Sequence, residues 1–535
     1  MEMIAKSFDV ALFENKSANY PNVPPFNPSK CYPEYPLQTD KFLCTENNVY
    51  ESVRETLRLL KFDADHFGTK SWNPFRDLIS PGNKVVIKPN LVSDWHWSNG
   101  DLFSIITHPS VIRAVVDYCY IALKGDGEII IADSPILECD FNALLRKTDL
   151  QSISNFYKGE LSFDVKILDL RPYCWGNRLS SNRLELEGDP LGYVSVNLHE
   201  DSNLAHLDSK KFWCVDDHRE ETPKYHNDMT HKYLISKTVL SADCVILIPK
   251  LKVHRKVGVT LNVKCLVGIV GNKQCLPHFR MGTPVEGGDS SPDICNAKIR
   301  AVLKFKTIIS DFLSKNNVTY DLKNRFINYL YKNNLGLRFS INSLLKDKSL
   351  FSPLSVGTYG NVDKRIGQFQ GGSWHGNDTT WRMAADLYQI FFFADTNGKM
   401  KMESTRNVFS IIDGIVGGEG DGPLAPTARH CGVILGGLNP VAVDLVATRL
   451  MGLDFSRLKM YQEILNSNKW TILSKNEVCQ IDVKSNNPKY VDILRNNGNK
   501  HLQFEPPVGW KNITYTGCYK EHENESGLER ITNAQ

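Results

Sequence analysis

The chain has 535 residues, with 63 Lys and Arg against 60 Asp and Glu; a net charge of +3 on so large a surface gives no global field toward nucleic acid or an anionic membrane. Hydrophobic residues make up 41% and charged residues 23%, a globular balance that excludes wholesale disorder. At about 100–200 residues per domain, the length predicts two to four domains or one enlarged α/β core with insertions.

Residues 1–47 hold clustered prolines (Pro21, Pro24, Pro25, Pro28, Pro33, Pro36) and read as an extended arm. Met1 to Tyr20 lacks the apolar stretch of a secretory signal. From Asn48 to about Leu60 the pattern is helical. Lys84–Lys88 reads as a buried strand closed by Pro89-Asn90, and Pro109 to about Lys124 as an amphipathic helix with proline in its first turn. Gly125-Asp126-Gly127 ends that helix, and Glu128–Ala132 is the next strand, leading to Asp133-Ser134. Strand, helix, strand predicts a βαβ unit in a parallel sheet.

Val165–Leu168 continues the sheet, and a hairpin is expected from Leu184–Leu186 and Tyr193–Asn197. Cys244–Ile248 is a further buried strand. Residues 297–345 are rich in lysine and helix formers and read as a helical insertion. Trp381–Ala394 is a helix, Val408–Ile412 a strand, Gly432–Gly436 a strand and Pro440–Met451 a helix. The last 80 residues are expected to wrap the core. The fold class is therefore α/β, a parallel or mixed sheet in two lobes with helices on both faces. The organisation expected is arm 1–47, core 48–296 and 346–455, helical insertion 297–345 and wrapping segment 456–535.

Thirteen cysteines form no Cys-x-x-Cys pair, which argues against an iron–sulfur cluster or a local four-cysteine zinc site and favours reduced, mostly buried thiols. No window reaches 18 uncharged apolar residues, so no membrane span and a cytoplasmic location are expected.

In open α/β sheets ligands bind at the carboxyl ends of strands. Four such ends carry suggestive chemistry: Lys88-Pro89-Asn90, Asp133-Ser134, Lys250-x-Lys252-x-His254 and Asp413-Gly414. The segment from Cys244 to Val285 holds seven Lys and Arg in 42 residues, with no Asp or Glu. Lysines interleaved with glycines such as Gly268 form an anion cradle, where backbone N–H groups approach an oxyanion that Lys or Arg neutralises. A solvated basic face is the plainer alternative. His254 and His278 are candidate metal ligands or simply hydrogen-bonded imidazoles. Lys264 sits in an apolar run, where burial favours a neutral, nucleophilic amine. Asp413 to Pro423 has five glycines and three carboxylates and reads as a ligand-approaching loop, with Asp413 and Glu419 as proton or cation handlers. Thr107 or His108 is expected to cap the following helix and to hold an anion there. Asp444, within an Ala/Val-rich helix, reads as structural.

Together these stretches resemble the family catalogued as domain of unknown function 362. The carrying residues are Val85–Asn90, Thr107-His108-Pro109, Asp133-Ser134, Ile248–His254, Val259–Lys264, Gly268, His278, Asp413–Ile415, Gly420–Pro423 and Asn439–Asp444. The resemblance supplies no activity, and the ferredoxin-like cysteine motifs of some relatives are missing here. A more distant likeness is to the lactate racemase family, whose nickel-pincer nucleotide is covalently attached. That likeness would make Lys264 the cofactor-attaching lysine, with His254 and His278 as active-site or nickel-ligand histidines. The Gly-Gly that precedes the lysine there is Asn262-Val263 here.

The expectation is an enzyme acting on a small anionic metabolite (a hydroxy or keto acid, a sugar acid or a phosphorylated compound) by racemase- or isomerase-like transfer. Lys264, His254, His278, Asp413 and Glu419 would carry the chemistry. Lys88, Asn90, Thr107, His108, Ser134, Lys250, Lys252 and Gly268 would bind the anion. The alternative is a non-catalytic protein that holds an acidic polymer, with a cell-surface polysaccharide pathway as its setting by resemblance.

Overall fold

The computed structural model of the chain describes residues 7–37, 43–44, 46–176, 183–214, 221–293, 370–495 and 501–515. The expected insertion 297–345 lies outside the described residues, as does residue range 346–369 of the expected core. The core strands are β1 (Asp9–Glu14), β2 (Lys84–Pro89), β3 (Glu128–Asp133), β4 (Val165–Asp169), β5 (Cys244–Ile248), β6 (Lys250–His254), β7 (Asn407–Glu419), β8 (Thr427–Gly437) and β9 (Asp482–Ser485). They join one ten-stranded sheet in the order β9-β1-β8-β7-β5-β2-β3-β4, with β6 pairing beside β7 beyond the end of β5. Strands β7, β5, β2, β3 and β4 run parallel, β8 is antiparallel to β7, and β1 is antiparallel to β8. The sheet is mixed because β7 and β8 follow one another closely enough in sequence to turn back, whereas the parallel strands need crossovers.

The central strands are apolar on both faces, as a covered sheet requires. Val85, Ile87, Ile129 and Ile131 pack against helices α1 (Asn48–Leu59) and α2 (Pro109–Leu123). Val86, Ile130, Val245 and Leu247 point the other way. That second core also takes α6 (Thr380–Phe393) and α7 (Pro440–Leu450). Three further helices are α3 (Phe141–Thr148), α4 (Gln151–Glu160) and the short α5 (Leu261–Cys265), and α8 (Lys459–Asn466) follows α7. Each fully buried Ile or Val of these layers contributes about 1.5–3 kcal/mol relative to exposure.

Three expectations need correction. The strands Arg183–Glu185 and Tyr193–Asn197 exist but do not form a hairpin: the first pairs with Tyr173–Trp175, the second with Thr230–Ser236. The Gly-rich run after Ile412 is not a loop, because β7 continues to Glu419. Its glycines serve close packing rather than turning. A Cβ on Gly417 would lie 2.6 Å from Phe504, and one on Gly418 2.6 Å from the Ser104 carbonyl. The turn begins only at Gly420, with φ +74°. The extended arm also supplies β1, which lies between β8 and the C-terminal β9 within the sheet. No described helix is long and apolar enough to cross a membrane. The eleven described cysteines are unbridged.

Candidate functional site

Chain order along the sheet reverses between β5 and β2, so the carboxyl ends of these strands border the crevice where such sheets bind ligands. Here the crevice is filled by the chain itself. Lys88 and Asp133 close neighbouring strands, and their side chains meet at 2.7 Å, both buried. Burial alone would lower the Lys88 pKa, but Asp133 and Cys265 hold the amine above its ordinary value. The second Asp133 oxygen accepts from the Leu91 amide at 2.6 Å. Gly268 packs on this pair, where a Cβ would fall 1.8 Å from Asp133 Oδ1 and 2.5 Å from Lys88 Nζ. The anion beside this glycine and lysine is the protein's own carboxylate.

A second pair repeats the pattern. Lys250 Nζ lies 3.0 Å from Asp413 Oδ2, with both side chains fully buried. Asp413 also accepts from the Tyr20 hydroxyl (2.6 Å) and the His108 amide (2.9 Å), and Tyr20 accepts from Lys250 (2.5 Å). Burial lowers the Lys250 pKa against the pull of Asp413. Tyr20 comes from the N-terminal arm and stacks on His108 with ring centroids 4.0 Å apart. His108 caps α2 by accepting from the Ser110 amide through Nδ1. Thr107 Oγ1 donates to the Ile248 carbonyl (2.6 Å) and accepts from the Asn90 amide (3.0 Å), joining β2 to β5.

Two more lysines end on carbonyls. Lys252 donates to Ile105 O (2.6 Å) and Pro423 O (3.3 Å), and burial pulls its pKa to about 7. Lys273 donates to Ser134 O (2.9 Å) and Ser134 Oγ (2.7 Å), and burial likewise brings it to about 7. Glu419 stands apart from this group, paired with Arg429 at 2.8 Å and accepting from the Glu505 amide.

Lys264 differs from all of these. It is only 6% exposed, and while its backbone N–H donates to the Thr260 carbonyl (3.3 Å), its amine meets no hydrogen-bond or ion-pair partner among the described residues. Burial lowers its pKa to about 8. Its helix, α5, is held by Asp444, which accepts from the Asn262 amide (2.8 Å), the Val263 amide (3.0 Å), the Asn262 side chain (2.8 Å) and the Tyr461 hydroxyl (3.1 Å). Ser410 on β7 donates to Asn262 Oδ1 at 2.8 Å. The helix starts at Leu261 with φ +44°, a strained value for a branched side chain that the Asp444 contacts hold in place.

His254 ends β6 and His278 lies on the short strand Pro277–Arg280. Burial, then the Lys264 charge, pushes both pKa values well down; Lys256 lowers both further, and His278 lowers that of His254. The Lys264 charge thus acts on both rings. Their backbone partners fix opposite tautomers. His254 Nδ1 accepts from the Lys256 amide (3.1 Å), so neutral His254 carries its proton on Nε2. His278 Nδ1 faces the Leu276 carbonyl (2.8 Å), which can only accept, so His278 carries its proton on Nδ1 and presents a bare Nε2. His254 is buried, whereas His278 keeps partial exposure.

This arrangement does not fit a nickel-type centre. His254 could face a metal only by losing its Nε2 proton or its backbone bond. Among the described residues no group of three or more His, Cys, Asp or Glu is placed to hold a metal ion.

A cavity of about 150 Å³ is lined by Lys256, Val257 and Asn377 among others; Lys256 and Asn377 hydrogen-bond His254 Nδ1 and the His278 carbonyl, although neither histidine lines it. A larger hollow of about 320 Å³, between Asp201, Arg382 and Trp470, carries both charge signs, whereas no described Asp or Glu lines the smaller one. Chemistry rather than size points to the smaller one. Sequence reading did not single out Tyr20 or Lys256. Tyr20 has no local signal, being one tyrosine in a proline-rich arm. Lys256 lies two residues after His254 within the basic segment, which was its only clue.

In comparisons with known proteins, residues 85–165 and 198–449 match the family model described as Domain of unknown function (DUF362). No curated protein and no solved structure matches the chain. The matched ranges contain Lys88, Asp133, Lys250, Lys252, His254, Lys256, Lys264, Lys273, His278, Asp413, Glu419 and Asp444, and leave out Tyr20, Arg457, Lys459 and Tyr461.

Proposed function

The chain belongs to the DUF362 family, and we propose that it is an acid–base enzyme that moves a proton on a small anionic metabolite. The observation that carries this reading is the opposed tautomers of His254 and His278, whose pKa values the Lys264 charge lowers. His278 Nε2 is the base and His254 Nε2–H the acid. In a racemisation, epimerisation or keto–enol isomerisation, the base takes a proton from carbon, the electron pair moves to the adjacent carbonyl, and the acid supplies a proton. The depressed pKa values keep both rings neutral at pH 7, the state in which one can accept and the other donate. Lys264, with a pKa of about 8, is still mostly protonated there and stabilises the developing oxyanion. Hydroxy or keto acids, sugar acids and phosphorylated compounds are the substrate classes that this chemistry suits. In this reading Lys88, Lys250, Asp413, Thr107 and Asn90 act as framework rather than as substrate ligands, because their groups are met inside the protein.

The test is carbon-bound proton exchange. The full chain is incubated in D2O with a panel of such acids and phosphorylated sugars and followed by proton NMR. Exchange at one carbon is expected, falling by at least about 100-fold in His278→Gln and in His254→Gln. Exchange that survives both substitutions would contradict the assignment. The cationic cavity favours one second reading, a binding protein for an acidic polymer. That reading predicts polymer binding unchanged in both histidine variants.

A further inference from the structure

The strand end at His254 leads through Lys256 and Val257 into the cavity of about 150 Å³. Lys256, Arg457 and Lys459 lie on its wall, and no carboxylate is among its described lining residues. The acids that balance these cations sit outside the lining. Asp378 holds Lys459 at 3.2 Å, and Asp454 lies 3.5 Å from Arg457. Two indoles complete the wall, each fixed by its own N–H: Trp381 donates to Asp378 (3.0 Å) and Trp510 to the Arg255 carbonyl (2.7 Å). Lys256 is directed by the Gly371 carbonyl and lies over the Phe279 ring at 5.0 Å.

Two residues of the cavity wall are hydrogen-bonded to the histidines. The Lys256 amide donates to His254 Nδ1 (3.1 Å), and Asn377 donates to the His278 carbonyl (2.9 Å). Whole-ligand sites measure roughly 300–1,000 Å³, so a cavity half that size or less takes one end of a molecule. Arg457 and Lys459, joined by Lys256, which burial brings to about 7, line it without a described acid and suit a dianion better than a monoanion; Arg457 Nη1 donates to the Asn512 carbonyl (2.6 Å), which leaves Nη2 of its fork for an oxyanion atom.

We propose that this cavity receives the tetrahedral oxyanion of the substrate, which makes the substrate a small phosphorylated metabolite. The inference rests on the acid–base reading of His254 and His278 for what happens at the other end of that molecule. The phosphate group seats between Lys256, Arg457 and Lys459, and its carbon chain runs past Val257 toward the two imidazoles.

The experiment is calorimetric titration of the full chain with inorganic phosphate, and separately with acetate. Arg457 and Lys459 are 46% and 50% exposed, so the double variant Arg457→Gln/Lys459→Gln is expected to fold, which its thermal transition checks. Saturable phosphate binding is expected, weaker by about tenfold or more in the double variant and for acetate. In His278→Gln it should stay within about twofold. No saturable binding, a double variant equal to the parent, or acetate binding as tightly as phosphate would each overturn the assignment. Phosphate binding without any carbon-proton exchange would sink the acid–base reading and leave the oxyanion cavity standing. Exchange without phosphate binding would sink the cavity assignment alone.

Discussion

Two sets of buried lysines lie at one edge of the same sheet, and they are treated differently. Lys88 and Lys250 each meet a carboxylate, at 2.7 and 3.0 Å, and Lys252 and Lys273 each end on backbone carbonyls. The Lys264 amine has no partner among the described residues, and its charge lowers the pKa values of two imidazoles. A protein interior tolerates an ammonium group only when donors and charge are met. The first set obeys that rule and works as a scaffold. The amine of Lys264 is instead left to solvent, with its pKa lowered to about 8, and amines so perturbed concentrate where a group must react.

The contrast can be broken most strongly from the scaffold side. Asp413→Ala strips the partner from Lys250 and from the Tyr20 hydroxyl. It is expected to cost about 3–5 kcal/mol of unfolding free energy in urea denaturation, the usual result of leaving a buried charge unpaired. Replacing both members, as Lys250→Met with Asp413→Leu, should cost much less than the single change. Equal losses would show that the pair is not coupled. Gly268→Ala forces a methyl onto Asp133 and Lys88 and should cost about 1–3 kcal/mol in the same assay.

Asp444→Asn sharpens the link between scaffold and site. It leaves the volume of the group but removes acceptor capacity for the Asn262 and Val263 amides. A loss of about 1–3 kcal/mol is expected, with D2O exchange falling further than stability alone explains. Lys264→Met is expected not to destabilise at pH 7 and to gain up to about 3 kcal/mol, because a lysine whose pKa falls from about 10.4 to about 8 on folding opposes folding there. Its signature is the pH profile. The folded pKa of about 8 lies below the unfolded value near 10.4, so between those limits the unfolded chain binds more protons and stability rises with pH. That rise should flatten in Lys264→Met. An unchanged profile would show that Lys264 is not the depressed amine. The two histidines work in the same sense at lower pH: both folded pKa values are depressed, so stability falls as pH drops below about 6.5.

The parallel core was legible because short apolar runs alternating with amphipathic helices carry their own signal. Lys84–Lys88, Glu128–Ala132 and Cys244–Ile248 were found within a residue or two of their bounds. What misled was glycine. In β7, glycines read as a loop because their conformational freedom suggests turning, whereas here they make room for Phe504 and the Ser104 backbone. The hairpin failed because Tyr193–Asn197 pairs with a strand more than 30 residues away, and such long-range pairing has no local mark. The site was legible as a list of residue types and not as a division of labour. Lys88, Lys250 and Lys264 look alike in sequence. Only the arm residue Tyr20, the positions of Asp133 and Asp413 and the partners of each amine separate scaffold from chemistry.

The central claim is that His254 and His278 are neutral at pH 7 and held as opposite tautomers. It is tested most directly by long-range proton–nitrogen correlation NMR on protein labelled with 15N at histidine, with each ring assigned through its Gln variant. The account predicts a protonated Nε2 on His254, a protonated Nδ1 on His278, and no change in either between about pH 6.5 and 8. The same tautomer on both rings, or a ring that is protonated at both nitrogens at pH 7, would contradict it.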